Sequence, residues 1–103
     1  MSDYASTIDR ERFIAGLRAL AEYLESQPNV PTPRHGASVL VFPLYGTSEE
    51  QRAEIDVIAA RINAEPCEIV SGHYGVSRFF GPVEYRAVAI DRDADDSDGE
   101  RSQ

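Results

Sequence analysis

The sequence predicts an α+β fold: a two-layer sandwich with two helices on one face of a four-stranded mixed sheet, in the order α-β-α-β-β-β. Three observations predict it. Two stretches carry apolar residues at helical spacing. A short uninterrupted apolar run lies between them. The last third alternates apolar and polar residues in three short runs separated by glycine-containing turns. A length of 103 residues suits one domain, expected over 9–91, with a flexible lead-in at 1–8 and a disordered acidic tail at 92–103.

The first helix is expected from Arg10 to about Ser26, with Asp9 as N-cap. Phe13, Ile14, Leu17, Leu20, Ala21 and Leu24 form its apolar stripe. Glu22 follows Arg18 by four residues and can pair with it. Gly16 is an unfavourable mid-helix residue, for which close packing against another element is a reason. Pro28 ends the helix, and the run QPNVPTPRHG, with three prolines, is a stiff connector. Its Pro28-x-x-Pro31 formally matches a ligand for aromatic grooves, but a short link between core elements is the simpler role.

Residues 37–43 (ASVLVFP) read as a strand with Val39 and Val41 on one face and Leu40 and Phe42 on the other. Apolar residues on both faces predict an interior strand. Thr47-x-x-Glu50 is a capping box that opens the second helix, whose apolar face is Ile55, Ile58, Ala59 and Ile62. Asn63 falls at its C-cap and Pro66 lies beyond it. Cys67–Val70 is a short strand and Ser71-Gly72 a hairpin turn. His73–Phe80 and Val83–Ile90 flank Gly81-Pro82. If Phe80 pairs with Val83, Arg78 lies opposite Tyr85 and Ser77 opposite Arg86. Tyr74, Val76, Phe80, Val83, Tyr85, Ala87 and Ala89 then share the expected core face. The first strand, second helix and second strand suggest a right-handed parallel crossover, followed by an antiparallel meander.

The charge narrows the function. Ten basic residues, all arginine, face eighteen acidic ones, for a net charge of −8. Without lysine there is no Schiff-base chemistry and no P-loop lysine. The acidic balance opposes a nucleic-acid backbone, where affinity comes largely from counterion release by basic side chains. Phe79, Tyr74 and Phe80 beside Arg78 and Arg86 have the composition of a base-stacking sheet, but the element order and the charge oppose that role. The opposite idea is a DNA mimic built on Glu49, Glu50, Glu54, Asp56 and Glu65 with Glu11, Glu22 and Glu25. Interspersed arginines break up its field. Asp91, Asp93 and Asp95 alternate like a calcium loop, but Asp96 and Ser102 stand where glycine and glutamate are required.

One cysteine, Cys67, excludes an internal disulfide and reads as a small core residue. His35, Cys67 and His73 have no zinc spacing, so no metal and no cofactor is expected. No serine sits in a nucleophile elbow, and no catalytic residue is marked. No secretory signal or membrane span is visible, and the expectation is a cytoplasmic protein. His73, Arg78, Glu84 and Arg86 are the residues an acid–base or ligand-binding alternative would use.

The run GHYGVSRFFGPVEYRAVAI (72–90), with FIAGLRALAEYL (13–24), resembles a family of small proteins of high-GC actinobacteria and their phages that has no established activity. The resemblance covers about 9–91. It implies a phage, plasmid or accessory-genome setting and carries no catalytic residue onto this chain.

The leading expectation is a small acidic interaction or regulatory module. It binds a protein partner through the exposed face of the last hairpin, with His73, Phe79, Glu84 and Arg86 as contacts. A homodimer through that face or its edge is a variant. A small enzyme or ligand-binding domain is the alternative, and an acidic DNA-mimic inhibitor a further one.

Overall fold

The computed structural model describes residues 4–70 and 72–91. The elements are α1 (Thr7–Ser26), β1 (Ala37–Val41), α2 (Ser48–Ile62), β2 (Cys67–Val70), β3 (His73–Phe80) and β4 (Val83–Ile90). This is the expected α-β-α-β-β-β order of an α+β fold with a four-stranded mixed sheet. The expected acidic tail at 92–103, and with it the calcium-like aspartates from Asp93 onward, lies outside the described residues. Two compact units follow one another along the chain, divided between Gly36 and Ala37.

In the first unit, α1 begins earlier than expected. Ser6, not Asp9, is the N-cap: its hydroxyl accepts the Asp9 amide at 3.2 Å, and the Arg10 amide bonds the Ser6 carbonyl at 2.7 Å. Both residue types cap well, but the Ser6 start leaves the Asp9 carboxylate in the first turn, where it favours the helix dipole. Ser26 donates its hydroxyl to the Tyr23 carbonyl at 3.0 Å in the last turn. The helical stripe is present, yet α1 buries none of its residues, and Phe13 and Leu20 stay half exposed. A side chain added at Gly16 would meet open space, so close packing does not account for that glycine.

In the second unit the strand order is β1-β4-β3-β2. β2, β3 and β4 form the expected meander. β3 and β4 pair in the expected register, with Phe80 opposite Val83, Arg78 opposite Tyr85 and Ser77 opposite Arg86. Gly81 opens the two-residue turn with φ near +60°, the left-handed value such a turn needs at its first position. β1 pairs in parallel with β4, so β1 and β2 point the same way but stand at opposite edges. The crossover through α2 therefore spans the whole sheet. β1 is an edge strand and ends at Val41, which corrects the interior strand expected from its two apolar faces: Leu40 is 51% exposed. The central place belongs to β4, whose small Ala87-Val88-Ala89 run is buried.

The capping box forms as expected. The Thr47 hydroxyl accepts the Glu50 amide at 3.1 Å, and the Thr47 amide donates to Glu50 Oε1 at 2.7 Å. Asn63 closes α2 in the left-handed conformation. Between these caps, Ile55, Ile58 and Ala59 pack on Val76, Ala87 and Ala89, flanked by Val41, Ile62, Ala64, Tyr74 and Tyr85. Phe80 and Val83 belong to this face by register but stay 60% and 45% exposed, against expectation. The reason is where α2 ends. Arg78 Nη1 donates to the Ile62 carbonyl of its last turn at 3.2 Å, and Phe80 lies two residues further along β3.

Candidate interaction surface

Alternation along the strands sorts the candidate residues. On β3, Tyr74, Val76, Arg78 and Phe80 face α2, whereas His73, Gly75, Ser77 and Phe79 face away. On β4, Glu84, Arg86 and Val88 face away with them. β1 joins this second face through Ser38, opposite Glu84, and Leu40, opposite Arg86. The face away from α2 thus carries all four expected contacts, His73, Phe79, Glu84 and Arg86, but in different states.

Glu84 is not an exposed contact. It is 9% exposed and is the buried charged group among the described residues. Its carboxylate accepts the hydroxyls of Ser38 on β1 and Ser77 on β3, each at 2.5 Å, and Arg86 Nε lies 3.1 Å from Oε2. The Ser38 and Ser77 hydroxyls, then the neighbouring Arg86 charge, hold the Glu84 carboxyl below the usual glutamate range against the opposing effect of burial. Arg86 Nε also reaches Ser77 Oγ at 3.3 Å. One side chain thereby ties β1, β4 and β3 together, and no buried side-chain polar atom among the described residues lacks a partner.

Arg86 is about one-third exposed and oriented by Glu84 and Ser77. Phe79, on the rung opposite Glu84, is 65% exposed, and Leu40 borders Arg86 on the other side. His73 is half-buried opposite Ile90, four residues from Ser77 along β3. That is about 13 Å away at strand rise. The four residues of the ligand-binding alternative are therefore not brought together. Arg78 lies on the α2 face with its guanidinium 5.4 Å from the Phe80 ring, Glu84 and Arg86 lie on the other, and His73 stands apart. The same division separates Phe79 and Arg86 from Tyr74, Phe80 and Arg78, the residues of the base-stacking composition.

A second polar cluster was not singled out by the sequence. Arg52 on α2 holds both oxygens of Glu68, at 2.7 and 2.9 Å, and lies 4.7 Å from the centre of the Tyr74 ring. Glu68 also accepts the Gly72 amide at 3.1 Å. The Tyr74 hydroxyl donates to Asp56 at 2.5 Å, and that bond, with partial burial, pushes the phenol up. Glu50, Glu54 and Asp56, three of the acids a DNA mimic would present, thus all have internal partners. A helix-to-strand spacing of 16 or 18 residues leaves no local signature from which to find this cluster.

Cys67, expected in the core, is exposed at the β2 edge, and His35 is exposed. Among the described residues no group of three or more His, Cys, Asp or Glu side chains is placed to hold a metal ion. A shallow surface depression lies between Ser48, Gln51 and Arg52 of α2 and Ala89, Ile90 and Asp91, with no enclosed room for a ligand. No helix among the described residues is long and apolar enough to cross a membrane. Compared with protein-family models, curated proteins and solved structures, the chain matches none.

Proposed function

We propose that the protein is a small acidic interaction module that takes a protein partner on the sheet face away from α2, in a cytoplasmic, accessory-genome setting. The observation that carries this reading is the exposure of Phe79 and Leu40 on either side of an arginine held in place from below. Exposed aromatic and aliphatic side chains beside an oriented arginine have the composition of an interface centre. The strands beneath are joined by the Glu84 network, so the surface changes little when a partner arrives. Glu84 supports the surface in this proposal and touches no partner, and His73 lies at its far margin.

The test is retention of a partner from host lysate by the intact protein, run beside Phe79→Ser and beside Val57→Ser, a half-exposed position on α2. The expected outcome is one partner retained by the wild type and Val57→Ser and lost by Phe79→Ser. Equal retention by all three, or no partner at all, overturns the proposal. Sedimentation at rising concentration tests whether a second copy of the chain is that partner.

A further inference from the structure

We infer that Arg86 anchors this surface and that it takes a carboxylate of the partner. The occupant is a protein segment that presents one aspartate or glutamate beside an apolar side chain. The inference rests on the sheet face being the binding surface, and adds what that surface recognises.

Four observations lead to it. First, the bonds Arg86 makes to described residues all use Nε, to Glu84 and to Ser77. The two terminal nitrogens are the outer end of the fork, the end that pairs side by side with a carboxylate. Second, the fork is already oriented. Glu84 is nine-tenths buried and is fixed by two hydroxyls from neighbouring strands, so Arg86 loses less rotamer freedom on binding than a free surface arginine. Third, its rim is apolar. Leu40 occupies the same rung on β1 and Phe79 the diagonal position on β3, both more than half exposed. Covering them would shield the new ion pair from water and strengthen it. Fourth, the chain as a whole is acidic, at −8. That field repels a polyanion such as a nucleic-acid strand or a run of acids. It is screened over about 8 Å at physiological salt, which leaves room for one carboxylate in close contact. Glu84 already offsets much of the Arg86 charge, so the ion pair is a selective contact within an apolar one and not a general anion site.

The experiment pans random dodecapeptides displayed on phage against the full chain. The strongest binders are then synthesised, each in an acidic form and with Asn or Gln in place of Asp or Glu. The expected result is enrichment of peptides with an acid within two residues of an aromatic or aliphatic side chain. The amide form should bind about tenfold more weakly. Against Arg86→Lys, checked for folding by circular dichroism, that difference should shrink, because a lysine keeps the charge but loses the fork. Phe79→Ser and Leu40→Ser should weaken the acidic and amide forms alike. Amide forms that bind as well as the acids, yet are lost with Phe79→Ser, overturn the carboxylate anchor and leave the surface standing. Peptides indifferent to both Phe79→Ser and Arg86→Lys, or no enrichment, overturn the surface and the anchor together. A single-stranded DNA dodecamer that competes for Arg86 as well as the peptides do overturns the choice of a carboxylate over a phosphate.

Discussion

The two faces of the sheet solve the same problem by opposite means. On one, α2 lays Ile55, Ile58 and Ala59 over Val76, Ala87 and Ala89, and the burial is apolar. On the other, the same strands bury a carboxylate, and its neighbours are two hydroxyls and a guanidinium. The apolar side is held by non-directional contacts that depend on volume. The polar side is held by directional bonds that depend on every member being present. It also leaves its large apolar side chains, Leu40 and Phe79, exposed. A face that buries a carboxylate along with Val88, yet leaves its larger apolar side chains Leu40 and Phe79 in water, is suited to holding something else.

The difference should be plainest in denaturation. Ile55 is fully buried at the centre of the α2 face. Ile55→Ala should lower unfolding free energy by about 2–5 kcal/mol, read from a urea transition, through lost transfer energy plus a cavity. On the other face Glu84→Ala should lower it less, by about 2 kcal/mol, since water can reach the partly exposed Arg86 left behind. A loss from Glu84→Ala as large as that from Ile55→Ala would break the contrast.

Acid separates the faces without a cavity. The folded-state pKa of Glu84 is lowered, so its stabilisation is fully present above the ordinary glutamate value, about 4.5. It is lost as pH falls from there through the folded value. Unfolding free energy of the wild type should fall below about pH 4.5, with a shallower fall in Glu84→Gln. Parallel pH profiles would place the acid sensitivity on other carboxylates.

What the sequence made legible follows the range over which each signal acts. The capping box at Thr47, the Asn63 cap and the β3–β4 register all rest on residues a few positions apart, and all appear in the structure. The core face was legible at Val76, Ala87 and Ala89, where alternation and burial coincide, but not at Phe80 and Val83, because nothing local says where α2 stops. Glu84 was legible as a residue of the face away from the core and illegible as a buried one. Ser77 reaches it through the hairpin register, but Ser38 reaches it only because β1 pairs with β4, a choice between strands some 45 residues apart. Edge or interior placement of β1 turned on the same choice. The surface residues could thus be named in advance, while their division into support and contact could not.

Smaller effects belong to the margin of the α2 face, where polar contacts are open to water. Tyr74→Phe removes the bond to Asp56 and should lower unfolding free energy by about 0.5 kcal/mol. Its clearer sign is spectroscopic. The Tyr74 phenol is pushed above its ordinary value of 10.0. The stabilisation tied to its neutral form is therefore present below pH 10.0 and lost as pH rises through the folded value. An ultraviolet titration of the folded protein should show a late component that disappears in Tyr74→Phe and moves earlier in Asp56→Asn.

Arg52→Gln should have an effect just as small, and one that salt removes. The Arg52–Glu68 pair has good two-pronged geometry, but its side chains are 35% and 45% exposed. Water and salt already compete for both charges, and pairs of this kind contribute at most about 1 kcal/mol. Glu68 would keep its bond from the Gly72 amide. The expected loss is about 0.5 kcal/mol at low salt, vanishing near 1 M salt, where the screening length is about 3 Å. The loss from Glu84→Ala should persist at that salt, because the Ser38 and Ser77 hydroxyls are uncharged donors to a carboxylate that is itself buried. Equal salt dependence for the two variants would mean that Glu84 acts through its charge on Arg86 alone. The hydroxyls that join β1 to β3 would then add nothing to the stiffness of the surface they support.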